Sequence, residues 1–214
     1  MPASPSNLVW YASYGSNCSQ SRFLTYLRGG RPSGSDREQH GARDSSDPLG
    51  DGPVEFTHSV CFAGHSPRWG GAPAFLEHRL SEGPGALGRR YLITVDQFAD
   101  VLAQESSRAF DSVELPEFDS LTPGERVIIG RGPYDALVPL EPIGGVSCVS
   151  FTSPAAPELR VPRPPSGPYL RTIVTGLAAT HPLDKEVIAQ RICRAAGVQP
   201  TWDEASVIAL MHDC

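Results

Sequence analysis

The chain has 214 residues, with 18 basic against 24 acidic side chains and a formal net charge of −6. That balance argues against a nucleic-acid groove, which needs a basic surface, and no apolar run approaches the roughly 18–20 residues of a membrane helix. Glycine and proline contribute 21 residues each, an excess that excludes a coiled coil or helix bundle and predicts short elements joined by many turns.

Residues 8–14 are apolar and aromatic-rich and run into a Gly-Ser-Asn turn, the pattern of a buried strand. Asn17 is a suitable N-cap for a short helix carrying Phe23, Leu24 and Leu27, which Gly29 and Gly30 stop. Residues 31–52 hold Ser, Gly, Asp and Arg with few apolar side chains, and are expected to form a flexible loop insertion. Strands are predicted at 54–58, 60–63, 72–76 and 90–94. Thr94 and Gln97 then fit a capping box, with Asp96 in the first turn, and Phe98, Val101 and Leu102 form the stripe by which a helix packs on a core. Asp96 and Asp100 are assigned to its solvated face. Three more strands are predicted at 126–129, 136–140 and 146–151. A proline-rich stretch over 154–168 leads into a helix from about Tyr169 with Leu170, Ile173, Val174 and Leu177 on one face. A further helix holds Val187, Ile188 and Ile192, and a last one runs from about Glu204 to Met211. Six or more short strands with peripheral helices make an α+β protein, read as a single domain over 1–214.

The five cysteines, Cys18, Cys61, Cys148, Cys193 and Cys214, are odd in number and scattered, without a C-x-x-C pair, so neither a disulfide framework nor a zinc knot is expected. His58, Cys61 and His65 are the one metal-ligand set worth testing. An odd separation in a strand puts His58 and Cys61 on opposite faces, and no metal is expected there. The first ten residues lack a basic region followed by an apolar one, so no secretory signal is read and a cytoplasmic location is expected. Lys185 is the only lysine among the 18 basic residues, a bias expected of a GC-rich, bacterial genome.

Three places hold residues with chemical potential. In the turn Tyr14-Gly15-Ser16-Asn17, a glycine permits a sharp bend and the following N–H groups at a helix start can face an anion or a developing oxyanion; the same tripeptide also serves as a plain strand–helix turn. Glu105 stands seven residues after Phe98. On a continuing helix it falls on the apolar stripe, where a carboxylate is costly to ionise, as suits a general base; if the helix ends by Gln104, it faces water. Trp69-Gly70-Gly71 can wall a pocket or form a packed turn, and the Tyr169 hydroxyl can meet a substrate or a neighbouring carbonyl. Glu77 reads as an ordinary loop or strand-end charge.

Four stretches in one order carry a resemblance. VWYASYGSNCSQSRF looks like the opening of the γ-glutamylcyclotransferase family, whose first strand ends in Tyr-Gly-Ser-Asn. WGGAPAF resembles its Trp/Gly-Gly segment, YLITVDQFADVLAQE its strand–helix ending in the catalytic Glu, and PSGPYLRTIVTGLAATHPL its Pro-Ser-x-x-Tyr start to the C-terminal helix. The similarity covers most of the chain outside 31–52 and the last dozen or so residues. It implies a mixed, partly closed β-barrel-like sheet with peripheral helices. It also implies a cofactor-independent enzyme, an acyltransferase or amide lyase, that releases an amine or amino acid from a γ-glutamyl amide as 5-oxoproline forms. Carried over, Tyr14, Gly15, Ser16 and Asn17 would hold the substrate α-carboxylate, Glu105 would be the general acid/base, Tyr169 would contact substrate, and Trp69, Gly70 and Gly71 would wall the pocket. No metal, nucleic acid or membrane is implied, and the chain would be a monomer or homodimer. Ser106 and Ser107 depart from the family, which often has a glycine after its Glu. Two alternatives stand beside this reading: a non-catalytic small-ligand binder of the same fold, and another amide-cleaving enzyme, an amidase or deacetylase, for which the six histidines lack ligand-like spacing.

Overall fold

A computed structural model describes residues 7–32, 38–155 and 161–212, and of Arg79 the backbone alone. Cys214 and parts of two predicted stretches, 33–37 within the loop and 156–160 within the proline-rich run, lie outside the described residues. In chain order come β1 (Leu8–Ser13), α1 (Gln20–Arg28), β2 (Gly50–Glu55), β3 (His58–Phe62), β4 (Ala74–Leu80), β5 (Leu87–Thr94), α2 (Val95–Glu105), β6 (Val127–Ile128), β7 (Ala136–Ile143), β8 (Val146–Thr152), α3 (Gly167–Ala178), α4 (Lys185–Cys193) and α5 (Glu204–Leu210). Six strands form one sheet in the order β2-β5-β1-β8-β7-β6, while β3 and β4 pair with each other. The large sheet is mixed: β1 runs parallel to β8, with Trp10 beside Cys148, and β7 runs antiparallel to β8. This is the α+β class read from the sequence.

Several strand boundaries differ from expectation. The single strand predicted at 54–58 is the end of β2 and the start of β3. The Gly50-Asp51-Gly52-Pro53 stretch has no strand propensity, yet it forms most of β2 because β2 stands at the sheet edge, where a proline need not donate. Likewise β4 continues through Glu77 and His78 to Leu80, paired with β3, so Glu77 lies within a strand. Asn17 is not a helix N-cap. It sits in a 3-10 turn, Ser16–Cys18, and α1 starts only at Gln20.

Contacts divide the chain into two compact units, each assembled from three segments. The first takes in residues of 1–12, 21–51 and 90–154. Its core joins Val9 and Tyr11 of β1, Phe23 and Leu27 of α1, Tyr91 and Ile93 of β5, Phe98 and Leu102 of α2, and Val149 and Phe151 of β8. Phe23 stacks on Tyr91 with ring centroids 3.9 Å apart, and Tyr11 on Phe151 at 5.1 Å. The capping box that starts α2 is present in full: Thr94 Oγ1 accepts from Gln97 N at 3.1 Å, and Gln97 Oε1 accepts from Thr94 N at 3.0 Å.

The opposite, polar side of α2 corrects the sequence reading. Asp100 is 0% exposed, not solvated, because the polar stretch around Arg43–Ser46 lies along this face. Arg43 donates its backbone N–H (2.8 Å) and its Nε to the Asp100 carboxylate, which raises the Arg43 pKa through hydrogen bonding and charge attraction. Gln97 Nε2 donates to the carbonyls of Asp44 and Ser46. A polar helix face covered by a polar segment leaves little periodic signal, since neither partner is apolar.

The second unit takes in residues of 13–20, 52–89 and 155–214. It contains the β3–β4 hairpin, in register with Val60 opposite Leu76 and Phe62 opposite Ala74, together with α3, α4 and α5. The free edge of β3 is covered by loop backbone: Phe62 N donates to Ala196 O at 2.8 Å, and Arg163 N donates to Phe62 O at 2.9 Å. Among the described residues no helix is long and apolar enough to cross a membrane.

Candidate functional site

In the second unit, β1 ends at Ser13 and the chain turns through Tyr14 and Gly15 into the Ser16–Cys18 turn, closed by Cys18 N donating to Gly15 O at 3.0 Å. Asn17 and Cys18 are buried, at 3% and 0% exposure. The turn is buried by α3. A Cβ on Gly176 of that helix would stand 2.3 Å from Cys18 C and 2.5 Å from Ser19 N, closer than side chains ever pack, so the helix approaches the turn backbone to backbone. Cys18 is no nucleophile. Burial pushes its thiol up to about 12, which keeps it protonated at neutral pH.

Two distant segments meet beside this turn. Tyr169, in the first turn of α3 and 4% exposed, places its Oη 3.2 Å from the position a Cβ on Gly15 would take. The same hydroxyl accepts from Ala74 N, also at 3.2 Å. The Trp69 ring lies 4.7 Å from the Tyr169 ring, tilted 40°, and Phe62 meets Tyr169 edge-on at 6.2 Å. Trp69 is carried on a tight loop in which Trp69 N and Gly70 N both donate to Ser66 O. Gly71 is needed for a different reason: a Cβ there would stand 2.4 Å from Ser166 N, and its neighbour Ala72 N donates to Pro164 O. The start of α3 is steadied by Trp202, whose Nε1 donates to Pro165 O at 3.0 Å.

The structure thus brings together, in one unit, the Tyr14–Gly15 turn, Trp69, Gly71 and Tyr169. Sequence reading passed over Ser166, although it stands in the same Pro-Ser-x-x-Tyr stretch. It precedes α3, and its Oγ is buried with no hydrogen-bond partner among the described residues, a group that a bound molecule can satisfy.

Glu105 belongs to the first unit. The helix does reach it: Glu105 is the last residue of α2, half-buried. The turn that follows is fastened by Asp135, 1% exposed. Its carboxylate accepts from Arg108 Nη1 at 2.8 Å, from Gly132 N at 2.7 Å and from Ser106 Oγ at 3.4 Å. Ser107 takes φ +53°, the left-handed backbone that a glycine adopts without cost. Here the chain keeps the bend of a glycine with a serine.

Among the described residues no group of three or more His, Cys, Asp or Glu side chains is placed to hold a metal ion, and Cys18, Cys61, Cys148 and Cys193 are free thiols.

No known family's sequence profile matches the chain. A curated plant protein, histone deacetylase 5 of Arabidopsis thaliana, is 33% identical over 197 residues; these take in 83% of this chain but 29% of that protein, so the chain spans less than a third of its relative's length. Two solved structures are similar over nearly their whole length. One is a γ-glutamyl cyclotransferase, 14% identical with a TM-score of 0.55, covering 94% of this chain and 98% of the other. The second, an uncharacterized protein from Homo sapiens, is 14% identical with a TM-score of 0.52, covering 95% and 99%. At such identity the likeness speaks for the backbone, and what it establishes is that this chain has the γ-glutamyl cyclotransferase-like fold.

Proposed function

We propose that this chain is a γ-glutamyl cyclotransferase-type enzyme, which closes a γ-glutamyl amide to 5-oxoproline and releases an amine. The observation that carries this reading is the meeting of Tyr169 Oη with Gly15, beside Trp69. Residues more than 150 positions apart in a chain of this fold come together, and they are the residues the motifs single out. The N–H groups after Gly15 suit the substrate α-carboxylate, and Tyr169 and Ser166 supply hydroxyls beside them.

The reaction needs little from the protein. The substrate's own α-amine attacks the γ-carbonyl carbon, so a C–N bond forms within one molecule and the five-membered ring closes. Glu105 takes a proton from the α-ammonium and hands it to the leaving nitrogen as the amide C–N bond breaks. Backbone N–H groups steady the oxyanion between these steps. The deacetylase name belongs to a protein of which the chain matches 29%, and no cluster among the described residues favours that chemistry.

The test is to incubate the purified protein with a panel of γ-glutamyl dipeptides and amides and measure 5-oxoproline by mass spectrometry. Glu105→Gln should lower the rate by about 10²–10⁴-fold. A wild type inert across a broad panel overturns the enzyme reading, and a fully active Glu105→Gln overturns the assignment of the base.

A further inference from the structure

The second unit holds a pocket of about 400 Å³, near the lower end of the range of about 300–1,000 Å³ typical of ligand sites. Its floor is apolar: Val60, Phe62 and Leu87 line it, each no more than 9% exposed, and Tyr14 joins them. Its rim is the loop from Ser81 to Gly85 facing the end of α4. That end contributes two arginines in different states. Arg191 is committed, donating Nη1 to Gly85 O at 2.7 Å and Nη2 to Glu55 at 2.6 Å. Arg194 is exposed, with its Nη1 3.9 Å from where a Cβ on Gly83 would stand; its backbone N–H donates to Ile192 O, while its guanidinium has no hydrogen bond or ion pair among the described residues. Of the acidic residues in the lining, Glu77 is half-buried and engaged within the protein, and Glu82 is exposed, where solvent screens its charge.

An apolar floor under one uncommitted guanidinium has a complement. We propose that this pocket binds a small carboxylic acid with an apolar body, such as an apolar amino acid presents, with the body against Val60, Phe62 and Leu87 and the carboxylate at Arg194. Burial of the body supplies most of the affinity, and the planar guanidinium selects the carboxylate over other polar ends. Tyr14 belongs both to this pocket and to the turn assigned to the γ-glutamyl group. On the proposed function, therefore, the pocket receives the amino acid leaving the γ-carbonyl, and γ-glutamyl derivatives of apolar amino acids are the preferred substrates.

The test separates the two claims by measuring binding and turnover apart. Titration calorimetry on this chain uses 3-phenylpropionate, L-phenylalanine and phenethylamine. The two acids should bind, and phenethylamine should bind at least about tenfold more weakly. Arg194→Ala should weaken the acids by about five- to tenfold and remove their advantage over the amine. Equal binding of acid and amine, unchanged binding in Arg194→Ala, or no binding of either acid overturns the proposal. In parallel, 5-oxoproline release is measured from γ-glutamyl-phenylalanine and from its C-terminal amide. Turnover without acid binding refutes the pocket and leaves the cyclotransferase reading standing. Acid binding lost in Arg194→Ala, with no turnover of any γ-glutamyl compound, refutes the cyclotransferase reading and keeps the pocket.

Discussion

Replacing Gly176 by alanine sets two opposing effects against each other, and the geometry decides between them. In an ordinary helix interior the change stabilises by roughly 0.8–1 kcal/mol, because alanine loses less backbone freedom on folding. Here the new methyl would stand 2.3 Å from Cys18 C and 2.4 Å from Cys18 O, against an ordinary contact that begins at 3.4 Å. The helix and the Ser16–Cys18 turn must therefore separate by about 1 Å. The obstacle is backbone on both sides, and Cys18 is 0% exposed, so no flexible side chain can move aside. Overpacking of this kind costs about 1–3 kcal/mol, which exceeds the gain in helix propensity. Gly176→Ala should lower unfolding stability by up to about 2 kcal/mol, read from urea titration monitored by circular dichroism. The same displacement moves the N–H groups proposed to hold substrate, and 5-oxoproline formation should fall by about tenfold or more. Thr172→Ala, at a half-buried position of the same helix, is the comparison for propensity away from the turn, less the Oγ1 bond to Pro168 O that it gives up. A Gly176→Ala protein more stable than wild type by about 1 kcal/mol would refute the close approach and the account of the turn built on it.

Tyr169→Phe keeps the ring against Trp69 but leaves the buried Ala74 N–H without its acceptor; a loss of about 1–3 kcal/mol is expected in denaturant titration, and a change under 0.3 kcal/mol speaks against that bond. Ser107→Gly relieves a left-handed serine that costs about 1–2 kcal/mol, partly offset by about 0.4–1 kcal/mol of extra freedom in the unfolded chain, so stability should rise slightly, while Ser107→Val should lower it. The thiols predict an alkaline loss of stability. Burial pushes both Cys18 and Cys148 up to about 12 from 9.0, so above pH 9 the unfolded chain releases these protons first and the native state holds more. The contribution is complete below pH 9 and is lost as pH rises from 9 towards 12, by about 1.4 kcal/mol per thiol at pH 10. Denaturant titrations from pH 7.5 to 10.5 should show that slope, and the Cys18→Ala/Cys148→Ala double variant should flatten it; an equal slope in the variant assigns the effect to other groups.

Much of the secondary structure was legible because its signals act over a few residues. The Thr94–Gln97 capping box, the Phe98–Val101–Leu102 stripe and the glycines after Leu27 each mark an element through interactions three or four positions apart, and α1 and α2 form where they indicate. β2 was misjudged because its residues are poor strand formers that an edge position tolerates. Asp100 was misjudged because its partner is Arg43, 57 residues away in a stretch without periodicity. The two compact units were illegible, since each is assembled from three separate segments and no linker in the sequence marks a boundary.

The candidate site divides along the same line. By itself the sequence determined which residues could carry chemistry, because a Tyr-Gly-Ser-Asn turn, a Trp-Gly-Gly loop and a tyrosine at a helix start are local patterns with local causes. Only the tertiary structure decided that Tyr169 Oη lies against Gly15, that Gly71 passes Ser166 with no room for a side chain, and that the Arg194 guanidinium stands at an apolar pocket without a partner among the described residues. Those facts depend on where the chain returns after 95 or more residues, and packing, rather than any propensity of the residues concerned, sets that path.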